Sequence, residues 1–138
     1  MTLYTVLDGA RILVVDDEPA IVTVLARRLE SWGCQVLTAS SGEEGLAMAE
    51  AEYPDLILLD ILMPKMKGWE ACARLRKNPK TRTIPVVFLT ALGMPNHIWG
   101  GLTIGAEDYL IKPFRPEEMK ERLAVVLWRH RAQAAPPD

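Results

Sequence analysis

Five polar side chains stand at the C-terminal ends of short apolar runs: Asp16 and Asp17 after "RILVV", Asp60 after "LILL", Thr90 closing "PVVFLT" and Lys112 after "YLI". Carboxylates crowded into a small volume repel one another and raise each other's pKa unless a cation compensates them. A hard, oxygen-seeking ion answers that need; Mg2+ takes one or two carboxylates, keeps several waters and reaches for phosphate oxygens. A carboxylate held rigidly at a strand end can attack phosphorus and become an aspartyl phosphate. An ammonium and a hydroxyl beside it would hold the phosphoryl oxygens as charge moves onto them. Asp60 is the candidate for attack, and we expect it to be presented at the edge of a sheet rather than buried.

Gathering these groups requires a particular scaffold. Apolar runs of strand length alternate with segments of helical length five times, which implies a parallel sheet with helices on both faces. The runs beginning at Ile12, Leu56 and Val86 are apolar without alternation, as central strands buried on both sides must be. In such sheets ligands bind beyond the C-terminal strand ends, where all five residues fall. Helix ends punctuate the intervening segments. Pro19 suits a first turn, Ile21, Val24, Leu25 and Leu29 recur at helical spacing, and Gly33 is a natural stop. Ser40 and Ser41 each have a Glu three residues on, so a capping box starts the second helix. The third helix begins near Gly68 and fades at Asn78 and Pro79; the last runs from near Pro116 to about Arg131.

With 138 residues the chain has room for one core, and its net charge of −2 gives no electrostatic reason to bind nucleic acid or an anionic membrane. The start "MTLYTVLDGA" lacks a basic segment followed by an apolar one, and no run approaches spanning length, so a cytoplasmic location without membrane insertion is the expectation. Cys34 and Cys72 form no CxxC pair, and free thiols are expected.

The blocks "ILVVDDEP", "LILLDILMPKMKG", "VVFLTA" and "GAEDYLIKPF", in order between about Arg11 and Arg131, resemble the receiver domains of two-component response regulators. The resemblance implies a flavodoxin-like, doubly wound five-stranded parallel sheet of order 2-1-3-4-5 with five helices. Residues 1–10 would be an N-terminal extension, 11–131 the receiver, and 132–138 a tail or the start of a linker. It further implies that Asp60 is the phosphoacceptor and that Asp17 binds Mg2+, or Mn2+ in its place. Asp16, Asp60 and the backbone carbonyl of Leu62 would complete the metal site. Lys112 would pair with the phosphoryl group beside a cis bond to Pro113, and Thr90 and Tyr109 would form a switch pair. The phosphoryl donor would be a sensor histidine kinase or a histidine phosphotransfer protein. No enzymatic activity is implied beyond Mg2+-dependent self-phosphorylation and slow autodephosphorylation. Apolar Leu62 and Leu92, two residues beyond Asp60 and Thr90, lead us to expect modest acceleration of hydrolysis at best.

Some residues depart from the family pattern. No Asp, Glu, Lys or Arg occurs from Ala91 to Ala106, and Gly100 and Gly101 interrupt the expected fourth helix. On the fifth helix Met119, Leu123, Val126 and Leu127 share one face, leaving Trp128 opposite Met119 with Val125 near it. Trp99, Val125 and Trp128 are therefore candidates for an apolar surface that binds a downstream protein or a second copy through helix 4, strand 5 and helix 5. His97 and His130 are isolated in sequence and are expected to be solvated. Among competing functions, a dehalogenase-like phosphatase would want an acid where Leu62 stands, and nucleotide-binding loops are missing. The remaining alternative is an interaction module on the same fold that works without phosphorylation.

Overall fold

The structure, a computed structural model, describes residues 2–91 and 105–134. The apolar runs become β1 (Arg11–Val15), β2 (Gln35–Ala39), β3 (Leu56–Asp60), β4 (Val86–Ala91) and β5 (Asp108–Lys112). They form one parallel sheet of order β2-β1-β3-β4-β5. Successive side chains on a strand point to opposite faces, so each unbroken apolar run feeds two cores. Ile12, Val14, Leu56, Leu58, Val87 and Leu89 enter one, under α1 (Pro19–Ser31) and the C-terminal helix (Pro116–Ala134). Leu13, Val15, Ile57, Leu59, Val86 and Phe88 enter the other, under α2 (Gly42–Glu52) and α3 (Gly68–Lys77). Complete burial of each such apolar side chain contributes about 2 kcal/mol.

The helix ends follow local chemistry. At α1, Pro19 opens the helix and Gly33, at φ +90°, closes it. Of the two serines before α2, Ser41 is the cap: its Oγ accepts from the Glu44 amide at 3.1 Å, while Glu44 Oε1 accepts from the Ser40 amide at 3.1 Å. The cap of α3 is Lys67, which offers no side-chain acceptor; only the reverse bond exists, from the Lys67 amide to Glu70 Oε1 at 3.2 Å. A lysine at this position gives up about 1 kcal/mol relative to Ser, Asp or Asn. It also sets a positive charge at the positive end of the helix dipole.

The structure departs from the spacing and bounds read in the sequence at two points, along α1 and at the end of the last helix. Val24, which shares the helical spacing of Leu25 and Leu29, is 47% exposed. It lines a groove between α1 and the loop after β5 with Ile21, Leu25, Pro113 and Phe114, beside Lys112. The C-terminal helix continues past Arg131 to Ala134. The N-terminal extension is ordered: Leu3–Leu7 form a 3-10 turn that buries Val6 and Leu7 in the first core against the C-terminal helix. There the Lys120 ammonium lies 4.7 Å from the Tyr4 ring centroid and 5.8 Å from that of Trp32. The expected fourth helix, with His97, Trp99, Gly100 and Gly101, and also Leu92, lie outside the described residues.

Candidate functional site

Strand register builds the site. Val15 pairs with Ala39 and Leu59, Asp60 with Leu89, Thr90 with Ile111 and Ala91 with Lys112, so the C-terminal ends of the strands finish level. Asp16, Asp17 and Asp60 can each offer an oxygen within 4.8 Å of the others. Asp16 is wholly buried; its Oδ1 accepts from the Glu18 amide at 3.0 Å and its Oδ2 from Lys112 Nζ at 3.2 Å. Lys112 Nζ also stands 3.9 Å from Asp60 Oδ1, which accepts from the Leu62 amide at 3.4 Å. Asp17 is half-buried at the rim.

Asp60 corrects the expectation that it would be presented rather than buried, for it is only 6% exposed. It terminates β3 within the sheet, between the ends of β1 and β4, where its neighbours cover it. Its carboxyl is pushed up from 3.8 to about 6. Burial is the main cause; Lys112 opposes it, Asp16 adds to it, the Leu62 amide opposes it and Asp17 adds to it. Among the described residues, three carboxylates against one ammonium leave an excess of negative charge. An all-oxygen donor set with that excess suits a hard divalent ion.

The remaining candidates divide. Thr90 is buried at the end of β4, while Tyr109, across from Phe88 on the edge strand β5, is 37% exposed. The Tyr109 amide donates to Asp108 Oδ1 at 2.8 Å, and Asp108 pairs with Arg122 at 2.9 Å, tying β5 to the C-terminal helix. The bond from Lys112 to Pro113 is cis. Leu62 is exposed beside Asp60. Trp128 is 54% exposed and Val125 half-buried on the C-terminal helix, far in sequence from the acidic cluster. Gly68 answers to close approach: an added Cβ would lie 2.8 Å from the Ile61 Cα, directly behind Asp60.

Several contacts were not anticipated. His130, expected to be solvated, meets Glu107 at 2.7 Å, a partner that sequence distance concealed. Arg76 donates to the carbonyls of Gly105 at 3.0 Å, Arg82 at 2.9 Å and Ile84 at 2.7 Å, a convergence that only folding creates. Lys67 Nζ donates to the Met63 carbonyl at 3.2 Å, inside the loop that follows Asp60. For Lys67 a signal did exist: a lysine stands where a helix start ordinarily carries a side-chain acceptor.

Comparison with known proteins bears on this arrangement. Residues 12–124 match the family described as response regulator receiver domain. The chain is 47% identical over 119 residues to the alkaline phosphatase synthesis transcriptional regulatory protein PhoP of Bacillus subtilis, covering 86% of this chain and 49% of that one. It is 45% identical over 119 residues to the DNA-binding dual master transcriptional regulator RpaA of Synechocystis, again covering 86% of this chain and 49% of the relative. Among solved structures, the chemotaxis response regulator CheY4 of Vibrio cholerae superposes with a TM-score of 0.79 at 34% identity, covering 86% of this chain and 98% of that one. The chain thus spans about half the length of the curated relatives it matches. The expectation of no direct contact with nucleic acid is overturned by these relatives, one of which is named as DNA-binding. Net charge describes only the residues counted, and its field fades within about 10 Å in salt, so it cannot speak for the rest of such a protein. Among the described residues no helix is long and apolar enough to cross a membrane.

Proposed function

Because the chain belongs to the response regulator receiver domain family, we propose that it is a phosphoacceptor switch of a two-component or phosphorelay system, with Asp60 as the acceptor. One observation carries the reading. A strand-end carboxylate, pushed up to about 6, clusters with two further carboxylates and with the Lys112 ammonium, which stands 3.2 Å from Asp16 and 3.9 Å from Asp60. An Asp60 oxygen attacks the phosphorus of a phosphohistidine presented by a histidine kinase or phosphotransfer protein. The P–N bond breaks, and its electron pair returns to the imidazole nitrogen, which takes up a proton. Asp16, Asp17, Asp60 and the Leu62 carbonyl would hold Mg2+, or Mn2+ in its place, which neutralises charge on the phosphoryl oxygens when bound.

Lys112 leaves Asp16 for a phosphoryl oxygen, and the Thr90 hydroxyl donates to another. Tyr109, now outward, follows Thr90 inward, and β5 and the surfaces flanking it change shape. Turning such a switch from mostly off to mostly on takes about 5 kcal/mol of preference for one arrangement. The test is the intact mass of the protein and of Asp60→Asn after incubation with Mg2+ and acetyl phosphate. We expect one added phosphoryl group in the parent and none in the variant. An unlabelled parent would favour an interaction module that works without phosphorylation.

A further inference from the structure

The loop between β3 and α3 contains a cation that the phosphoacceptor reading leaves unused. Lys67 caps α3 poorly, against both side-chain preference and the helix dipole, yet its half-buried ammonium turns back to the Met63 carbonyl at 3.2 Å. Around it the loop is closed by bonds from the Gly68 amide to the Ile61 carbonyl and from the Met66 amide to the Pro64 carbonyl, each 2.8 Å. Lys65 lies between them at φ +68°, a left-handed conformation that non-glycine residues seldom adopt. Met63 and Met66 are buried in the second core, so both side chains that pin the loop from below are fixed. The Lys67 bond pins the backbone of Met63 from above.

We propose that Lys67 is a positioning residue for the metal site: by holding the Met63 carbonyl, its ammonium sets the peptide plane that carries the Leu62 carbonyl. With the Met63 side chain anchored and its carbonyl bonded, the torsions on either side of the residue have little freedom. The preceding peptide, which joins Leu62 to Met63, is therefore held as well. A chain that gives up a good helix cap to keep this tether departs from local preference, as functional loops do. This inference rests on the reading that the Leu62 carbonyl is a metal ligand.

The experiment follows backbone amide NMR shifts of Leu62 to Gly68 during Mg2+ titration of the parent, Lys67→Met, Lys67→Asn and Lys67→Arg, with thermal unfolding of each without Mg2+. We expect Mg2+ to bind about tenfold more weakly to Lys67→Met and Lys67→Asn, at the low end for loss of an outer-shell partner, and affinity to recover most of the way to the parent's in Lys67→Arg. Asparagine is the better cap, so Lys67→Asn should unfold at a higher temperature than the parent while binding Mg2+ less well, a split that a merely structural lysine would not produce. Equal Mg2+ affinity in the parent and in both neutral variants would overturn the role of Lys67 and leave the metal site standing. A parent whose loop amides do not respond to Mg2+ would overturn both.

Discussion

At the residue scale, Asp60 carries two demands that oppose each other. Nucleophilic attack needs the ionised carboxylate, whereas burial favours the neutral acid and lifts its pKa to about 6. The folded protein therefore binds this proton more tightly than the unfolded chain, whose carboxyl titrates near the ordinary 3.8. The resulting stability is fully present below pH of about 4 and is lost as pH rises through about 6, leaving a cost of about 2–3 kcal/mol at pH 7. Without divalent ions, Asp60→Asn should raise the unfolding midpoint by several degrees at pH 7.5 and by far less at pH 4.5. Equal gains at both pH values in calorimetric scans would contradict this origin of the strain. Residue identity was legible here, since a carboxylate after an apolar run is conspicuous. Its burial was not, because that depends on how closely β1 and β4 flank it.

At the element scale, the junction of β3 with α3 is the tightest part of the site. The helix begins so near the strand end that Gly68 has no room for a side chain, and the obstructing atom at 2.8 Å is backbone, which cannot rotate away. Gly68→Ala should destabilise the protein by about 1–3 kcal/mol, a typical overpacking cost, and should reduce labelling of Asp60 by shifting its main chain. Chemical denaturation checks the first effect and intact mass after acetyl phosphate the second. Unchanged stability would mean that α3 can move outward freely. Elements of this kind were readable because apolar period and end signals are local: all five strands and the starts of α1, α2 and α3 follow them. Val24 escaped, since helical spacing specifies a stripe but not whether another element covers all of it.

At the scale of the whole molecule, phosphoryl chemistry occupies one end of the sheet while stability is drawn from both. Arg76 stands eight residues beyond Gly68 on α3, about 12 Å along the helix, and binds the turn before β4 to the approach to β5. Arg76→Ala would strand several carbonyls and should cost about 2–4 kcal/mol in urea unfolding. Labelling of Asp60 should remain stoichiometric in the folded variant, because the carbonyls that Arg76 holds, those of Gly105, Arg82 and Ile84, lie away from the acidic cluster. Loss of labelling at full folding would instead couple the two ends. The sequence by itself determined the strands, the parallel sheet and the set of groups at its C-terminal edge, because apolar periodicity and strand-end position are properties of neighbours along the chain. Only the tertiary structure decided that Asp60 is covered, that Tyr109 lies outward while Thr90 lies within, that His130 meets Glu107, and that Lys67 reaches back to Met63. Those outcomes depend on distances across the fold and on which neighbour reaches a donor first, and short-range preference along a chain carries neither.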